Sequence, residues 1–200
     1  MILEKKIKAK QIFFTDKKRF ILNSPLNRQT NQIHMNKERE KKFNDGKGAF
    51  FEKVARPMLK FSNGIMVAGG LSYKGVGKLI FVTDTMRASS YLQTLNYFKQ
   101  DIDRLGKQLY FQQDNSSCHV NKKCEKYIKE NFQNSLDLWP ADSPDLLPIE
   151  ELWELLEEKL SKYKFNNLEE LSKSLQWLWH RIPKHLCKNL ISALDKKMKK

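Results

Sequence analysis

The stretch FQQDNSSCH at 111–119, followed by WPADSPDLLPIEELWELL at 139–156, constrains this chain more than anything else in it. LYFQQ at 109–113, bounded by Gly106, is short and apolar at its start, which predicts an interior strand that delivers Asp114 to its end. A Pro-bounded loop then delivers Glu150 to the start of a helix over about 148–162, where Pro148 suits the first position because its missing N–H costs nothing there. Ile149, Leu152, Trp153, Leu156 and Leu160 make one apolar face of that helix, so packing the face turns Glu150 outward toward the strand ends. Carboxylates arriving from separate elements suit metal-dependent phosphodiester chemistry.

Elsewhere the pattern predicts a mixed architecture. Residues 8–23 read as a hairpin of two strands with Asp16, Lys17 and Lys18 as its turn. From 24 to 63 Asn, Gln, Lys and Glu dominate, with NDGKG at 44–48 as a turn, so loops are expected there. Strands follow near 64–72 and 77–83, then a helix over about 88–104 carrying Leu92, Leu95 and Phe98 at helical spacing. Asn121 can cap a helix running through Cys124, Tyr127 and Ile128, and SLDLW at 135–139 predicts another short strand. Two amphipathic helices over 168–181 and 184–198 complete the chain, with Trp177 and Trp179 expected to be structural. An antiparallel beginning and an alternating end fit an α/β, RNase H-like fold, a mixed five-stranded sheet flanked by helices. No internal repeat is evident, and residues 1–200 are expected to form one domain with an irregular insertion at about 24–63.

The residues Gln113, Asp114, Asn115, His119, Ser143, Pro144, Asp145, Leu146, Pro148, Ile149, Glu150 and Trp153 resemble the pattern of mariner-type (Tc/mariner) DNA transposases. In that pattern an apolar strand ends in Gln-Asp-Asn, a His lies nearby, and Ser-Pro-Asp-Leu-x-Pro-Ile-Glu-x-x-Trp follows. The likeness runs from about residue 8 to the end and is weakest between 24 and 63. It implies a catalytic triad of Asp16, Asp114 and Glu150 holding two Mg²⁺ or Mn²⁺ ions, one activating the nucleophile and the other stabilising the leaving oxygen. The family usually has an acidic residue after the first aspartate, where this chain has Lys17. The resemblance further implies DNA cleavage by water, strand transfer by the freed 3′-hydroxyl, transposon ends and target DNA as partners, a homodimer on DNA, and a nuclear location in a eukaryotic host. The helix-turn-helix modules that read terminal repeats in such proteins have no counterpart before Asp16, which points to a catalytic-domain fragment or a shortened gene product.

Composition agrees with a nucleic-acid partner. A formal charge of +14 and a pI near 9.6 attract polyanions, and Lys17, Lys18, Arg19, Lys122 and Lys123 flank the two aspartates as candidate phosphate contacts. No apolar run approaches a membrane span, and the charged start lacks the apolar core of a secretory signal, so a soluble intracellular protein is expected. Three cysteines without a C-x-x-C pair exclude a disulfide framework, and Cys118, His119 and Cys124 lack the fourth ligand and the spacing of a zinc finger.

Each acid also has an ordinary structural role. Asp114 suits a strand-terminal Asx turn, Glu150 a favourable charge at a helix N-terminus, and Asp16 a turn residue. Asn115 and His119 are expected to orient a phosphate or a carboxylate, or to be bonded locally, and Asp145 to brace the loop before Pro148. Two other functions stay open at this point: a catalytically inactive relic retained as a nucleic-acid-binding protein, and a nuclease acting on RNA hybrids.

Overall fold

The computed structural model describes residues 7–22, 63–82, 88–113, 121–136 and 147–197. Its longest strand, β1 (Ile12–Ile21), is uninterrupted and runs antiparallel to β2 (Gly64–Ser72), with Asp16 opposite Gly69, Lys17 opposite Ala68 and Lys18 opposite Val67. The hairpin expected over 8–23 is therefore corrected: Asp16 lies in mid-strand, not in a turn. Asp-Lys-Lys lacks the Gly or Asn that a tight reversal favours, and the long ladder to β2 holds the segment extended.

Beyond Ser72 the chain turns through Tyr73 and Lys74 to Gly75, whose φ of 141° few residues with a side chain adopt. It returns as β3 (Gly75–Val76) and β4 (Ile80–Val82), both antiparallel to β2. On the other side of β1, β5 (Tyr110–Gln112) pairs in parallel, Ile12 with Tyr110 and Phe14 with Gln112. The order is β3-β2-β1-β5 with β4 also on β2, a mixed five-stranded sheet. Of the strand expected at 135–139, Ser135 makes one parallel bridge to Phe111, and 137–146 lie outside the described residues, as does nearly all of the 24–63 segment.

Among the described residues five helices flank the sheet: α1 (Ala88–Leu105), α2 (Lys122–Asn131), α3 (Pro148–Leu160), α4 (Leu168–His180) and α5 (Lys184–Lys197). The Asn121 side chain caps α2 by accepting from the Lys123 N–H at 2.9 Å, and Asn167 does the same for α4 from Glu170 at 2.9 Å. Helices α1 and α2 cover one face of the sheet, where Phe13, Phe98, Phe111 and Phe132 meet. Helices α3, α4 and α5 cover the other, burying Phe14, Phe20, Trp153 and Trp179. This is the RNase H-like α/β arrangement.

One expectation about the aromatics changes. Trp179 is buried, but Trp177 is 57% exposed, because residues two apart on a helix point about 200° apart and cannot share a core.

Candidate active site

The pleat of β1 sends Asp16 to the same face as Ile12, Phe14 and Phe20, the face covered by α3. There the Trp153 indole Nε1 donates a 3.0 Å hydrogen bond to Asp16 Oδ2. The Trp153 ring stacks on Trp179, with centroids 5.0 Å apart, and takes an edge contact from Phe20 at 5.9 Å. Trp179 is held in turn by its own Nε1, which donates to the Gly77 carbonyl at 2.8 Å.

Four residues further along α3, the Glu157 carboxylate meets the Lys18 ammonium at 3.2 Å. Stepping back along α3 from Glu157 to Trp153 thus steps back along β1 from Lys18 to Asp16. Half-buried Glu150 lies three residues back from Trp153, in the first turn of α3.

At the Gln112 end of β5 two bonds clamp it to β1. The Thr15 hydroxyl donates to the Gln112 carbonyl at 2.7 Å, and the Thr15 N–H donates to Gln112 Oε1 at 3.2 Å. Gln112 is fully buried, and its Nε2 has no hydrogen-bond partner among the described residues. The Tyr91 hydroxyl, on α1, donates to Gln113 Oε1. Asp114, Asn115, Cys118, His119 and Asp145 lie outside the described residues.

The expected site residues therefore divide. Asp16 and Glu150 are brought onto adjoining elements, and the contribution of Thr15, Gln112 and the Trp153 N–H escaped sequence reasoning. Trp153 stood in the motif, but the partner of its donor is 137 residues away. Lys17 is half-buried, Lys18 is paired with Glu157, and Arg19, Lys122 and Lys123 are exposed.

Both described acids offer hard carboxylate oxygens, the donor type that Mg²⁺ and Mn²⁺ take, so they fit such an ion. Among the described residues no group of three or more His, Cys, Asp or Glu side chains could hold a metal. Both described thiols behave as core residues: Cys124 is buried on the inner face of α2, and burial pushes the Cys187 thiol above its ordinary value. An open hollow of about 610 Å³ lies around Tyr163, Phe165 and Trp177 at the far end of α3 and contains neither acid.

Residues 29–172 match the family model of the DDE superfamily endonucleases, a span that begins after Asp16. The chain is 31% identical over 146 residues to the Tcb1 transposase of Caenorhabditis briggsae, covering 72% of this chain and 53% of that protein. It is 29% identical over 175 residues to the Tc3 transposase of Caenorhabditis elegans, covering 80% and 52%. The chain thus spans about half the length of these relatives. Its fold is shared with the catalytic domain of the Mos1 mariner transposase, with a TM-score of 0.70 at 16% identity over 98% of this chain and 83% of that one. With the family model covering more than half of its length, this chain belongs to the DDE superfamily endonucleases, among their Tc/mariner transposases.

Proposed function

We propose that this chain is a single transposase catalytic domain that hydrolyses a phosphodiester at an element's end and joins the freed 3′-hydroxyl to target DNA. Asp16, Asp114 and Glu150 are its catalytic residues. The observation that carries this reading is the Trp153 bond to Asp16, which ties the first acid to the helix whose first turn bears Glu150. The parallel register supports the third: Phe14 pairs with Gln112, and Asp114 follows Gln112 in the sequence by the same two residues by which Asp16 follows Phe14.

In this mechanism Asp16, Asp114 and Glu150 would hold two divalent ions, which would supply charge stabilisation to the scissile phosphate. The remaining work falls to the chain's own residues. The Thr15 and Gln112 clamp holds β5 to β1, the strand that bears Asp16, and the first turn of α3 carries Glu150. Lys17, Lys18, Arg19, Lys122 and Lys123 attract the DNA backbone without reading bases, so affinity should fall steeply with salt and similarly for all duplex sequences. Asn115 and His119 would orient a phosphate or a carboxylate or be bonded locally, and Asp145 would brace the approach to Glu150.

Solved Mos1 complexes include a paired-end complex with Mn, one with Mg and one with the left transposon end, which supports divalent metal and transposon-end DNA for this chain, and a homodimer on DNA is proposed with them. Among the described residues no helix is long and apolar enough to cross a membrane. The nucleus is the proposed location in a eukaryotic host.

The test is metal-dependent nicking of end-containing or branched DNA by the purified chain, with a DNA-binding module supplied in parallel. Asp16→Asn, Asp114→Asn and Glu150→Gln should each bring cleavage to background while retaining fold and DNA affinity. Near wild-type cleavage by any of them moves the site elsewhere, and no cleavage by the wild type under either condition favours a DNA-binding relic.

A further inference from the structure

We propose that Trp153 is a positioning residue for Asp16, its indole N–H fixing the carboxylate's orientation and its ring setting the span between Asp16 and Glu150. The proposal rests on the triad reading of those two acids. An indole nitrogen can only donate, so at 3.0 Å the Asp16 carboxylate must accept, and the bond is of the stronger, charge-assisted kind.

The donor itself has almost no freedom. Trp153 is 1% exposed, stacked on Trp179 on one side and met edge-on by Phe20. A Cβ at Gly69 would come within 2.8 Å of the ring tips of both tryptophans, so the glycine opposite Asp16 is what lets the pair sit against the sheet. Trp179 is pinned to the Gly77 carbonyl, and the next residue, Lys78, donates its N–H to the buried Asp101 carboxylate at 2.7 Å. The indole is thereby located by α4, by β2 and by the link between β3 and β4, as well as by its own helix.

That helix carries Glu150 three residues earlier, about 4.5 Å along the axis. Moving the Asp16 carboxylate relative to Glu150 therefore requires moving a ring that three other elements hold. An aspartate alone has two free side-chain torsions. Here the Trp153 hydrogen bond restrains that freedom before any ion arrives, which is the support that a metal-holding carboxylate needs.

The experiment compares Trp153→Phe with Trp179→Phe in the whole chain, reading Mn²⁺ affinity by calorimetry and the Mn²⁺ concentration for half-maximal nicking. Trp153→Phe should weaken Mn²⁺ binding about tenfold and raise that half-maximal concentration, with the KM for DNA unchanged. Trp179→Phe, which perturbs the same stack but keeps the Asp16 bond, should do neither. In an Asp16→Asn background, Trp153→Phe should add nothing to the loss of Mn²⁺ affinity. If Trp153→Phe does not fold, benzothienylalanine at position 153 keeps the ring's shape, lacks the N–H, and should give the same result. Equal Mn²⁺ affinities for the two tryptophan variants, or additive losses with Asp16→Asn, would overturn the positioning role. Unchanged Mn²⁺ affinity in Asp16→Asn alone would instead sink the triad reading.

Discussion

The two faces of the sheet are built from similar aromatic material and do different work. Under α1 and α2, Phe13, Phe98, Phe111 and Phe132 meet at centroid distances of 4.4–6.2 Å and offer no polar atom. Under α3, α4 and α5, the largest side chains are Trp153 and Trp179, each of which turns an N–H onto an oxygen of the sheet region. Phenylalanine rings can only exclude water, whereas an indole excludes water and directs a donor. Adjacent glycines serve the two faces: a Cβ at Gly69 would strike the tryptophans, and one at Gly70 would come within 2.0 Å of Phe13. On the first face polar contacts come from Tyr91 and Asp101 of α1, whereas on the second an indole holds the Asp16 carboxylate itself.

The largest expected effect separates these roles. Phe111→Ala removes the ring between Phe98 and Phe132 and should cost about 3–5 kcal/mol in urea denaturation. The protein that remains folded should bind Mn²⁺ with wild-type affinity, and a parallel loss of metal binding would erase the distinction between the faces. Next come the glycines, since Gly69→Ala and Gly70→Ala should each destabilise by about 1–3 kcal/mol through overpacking. Each face carries its own reporter, Cys187 beside the tryptophans and Cys124 beside the phenylalanines. In the wild type both should resist thiol reagents near pH 8, Cys187 further protected by its raised pKa, which lowers its thiolate fraction. Gly69→Ala should speed labelling at Cys187 and Gly70→Ala at Cys124, read by peptide mass spectrometry. Equal acceleration at both thiols would show that the faces open together.

Smaller effects sharpen the edges of the comparison. Asn121→Ala should cost about 1 kcal/mol, by calorimetric melting, through loss of the α2 cap. Lys18→Met breaks a partly exposed pair with Glu157 and should change stability by less than about 1 kcal/mol. Because its ammonium is already engaged, it should also lower the salt slope of DNA binding less than Lys122→Met does. A larger effect from Lys18→Met would mean that DNA displaces Glu157.

The sequence by itself determined the elements whose signals are local. Pro148 opens α3 and Asn121 caps α2, while Ile149, Leu152, Trp153, Leu156 and Leu160 are all buried as their spacing required. Each of these follows from backbone geometry within a few residues, as did the motif that identified the family. Tertiary structure decided the rest. Asp16 reads locally as a turn residue, and only pairing with Gly69, far along the chain, makes it mid-strand and sends it toward α3. Trp177 and Trp179 read alike in a propensity pattern, and only the docking of α4 buries one and exposes the other. The indole bond to Asp16 joins residues 137 apart, and a hydrogen bond formed by folding leaves no trace in local periodicity because neither residue's neighbours encode the other's position.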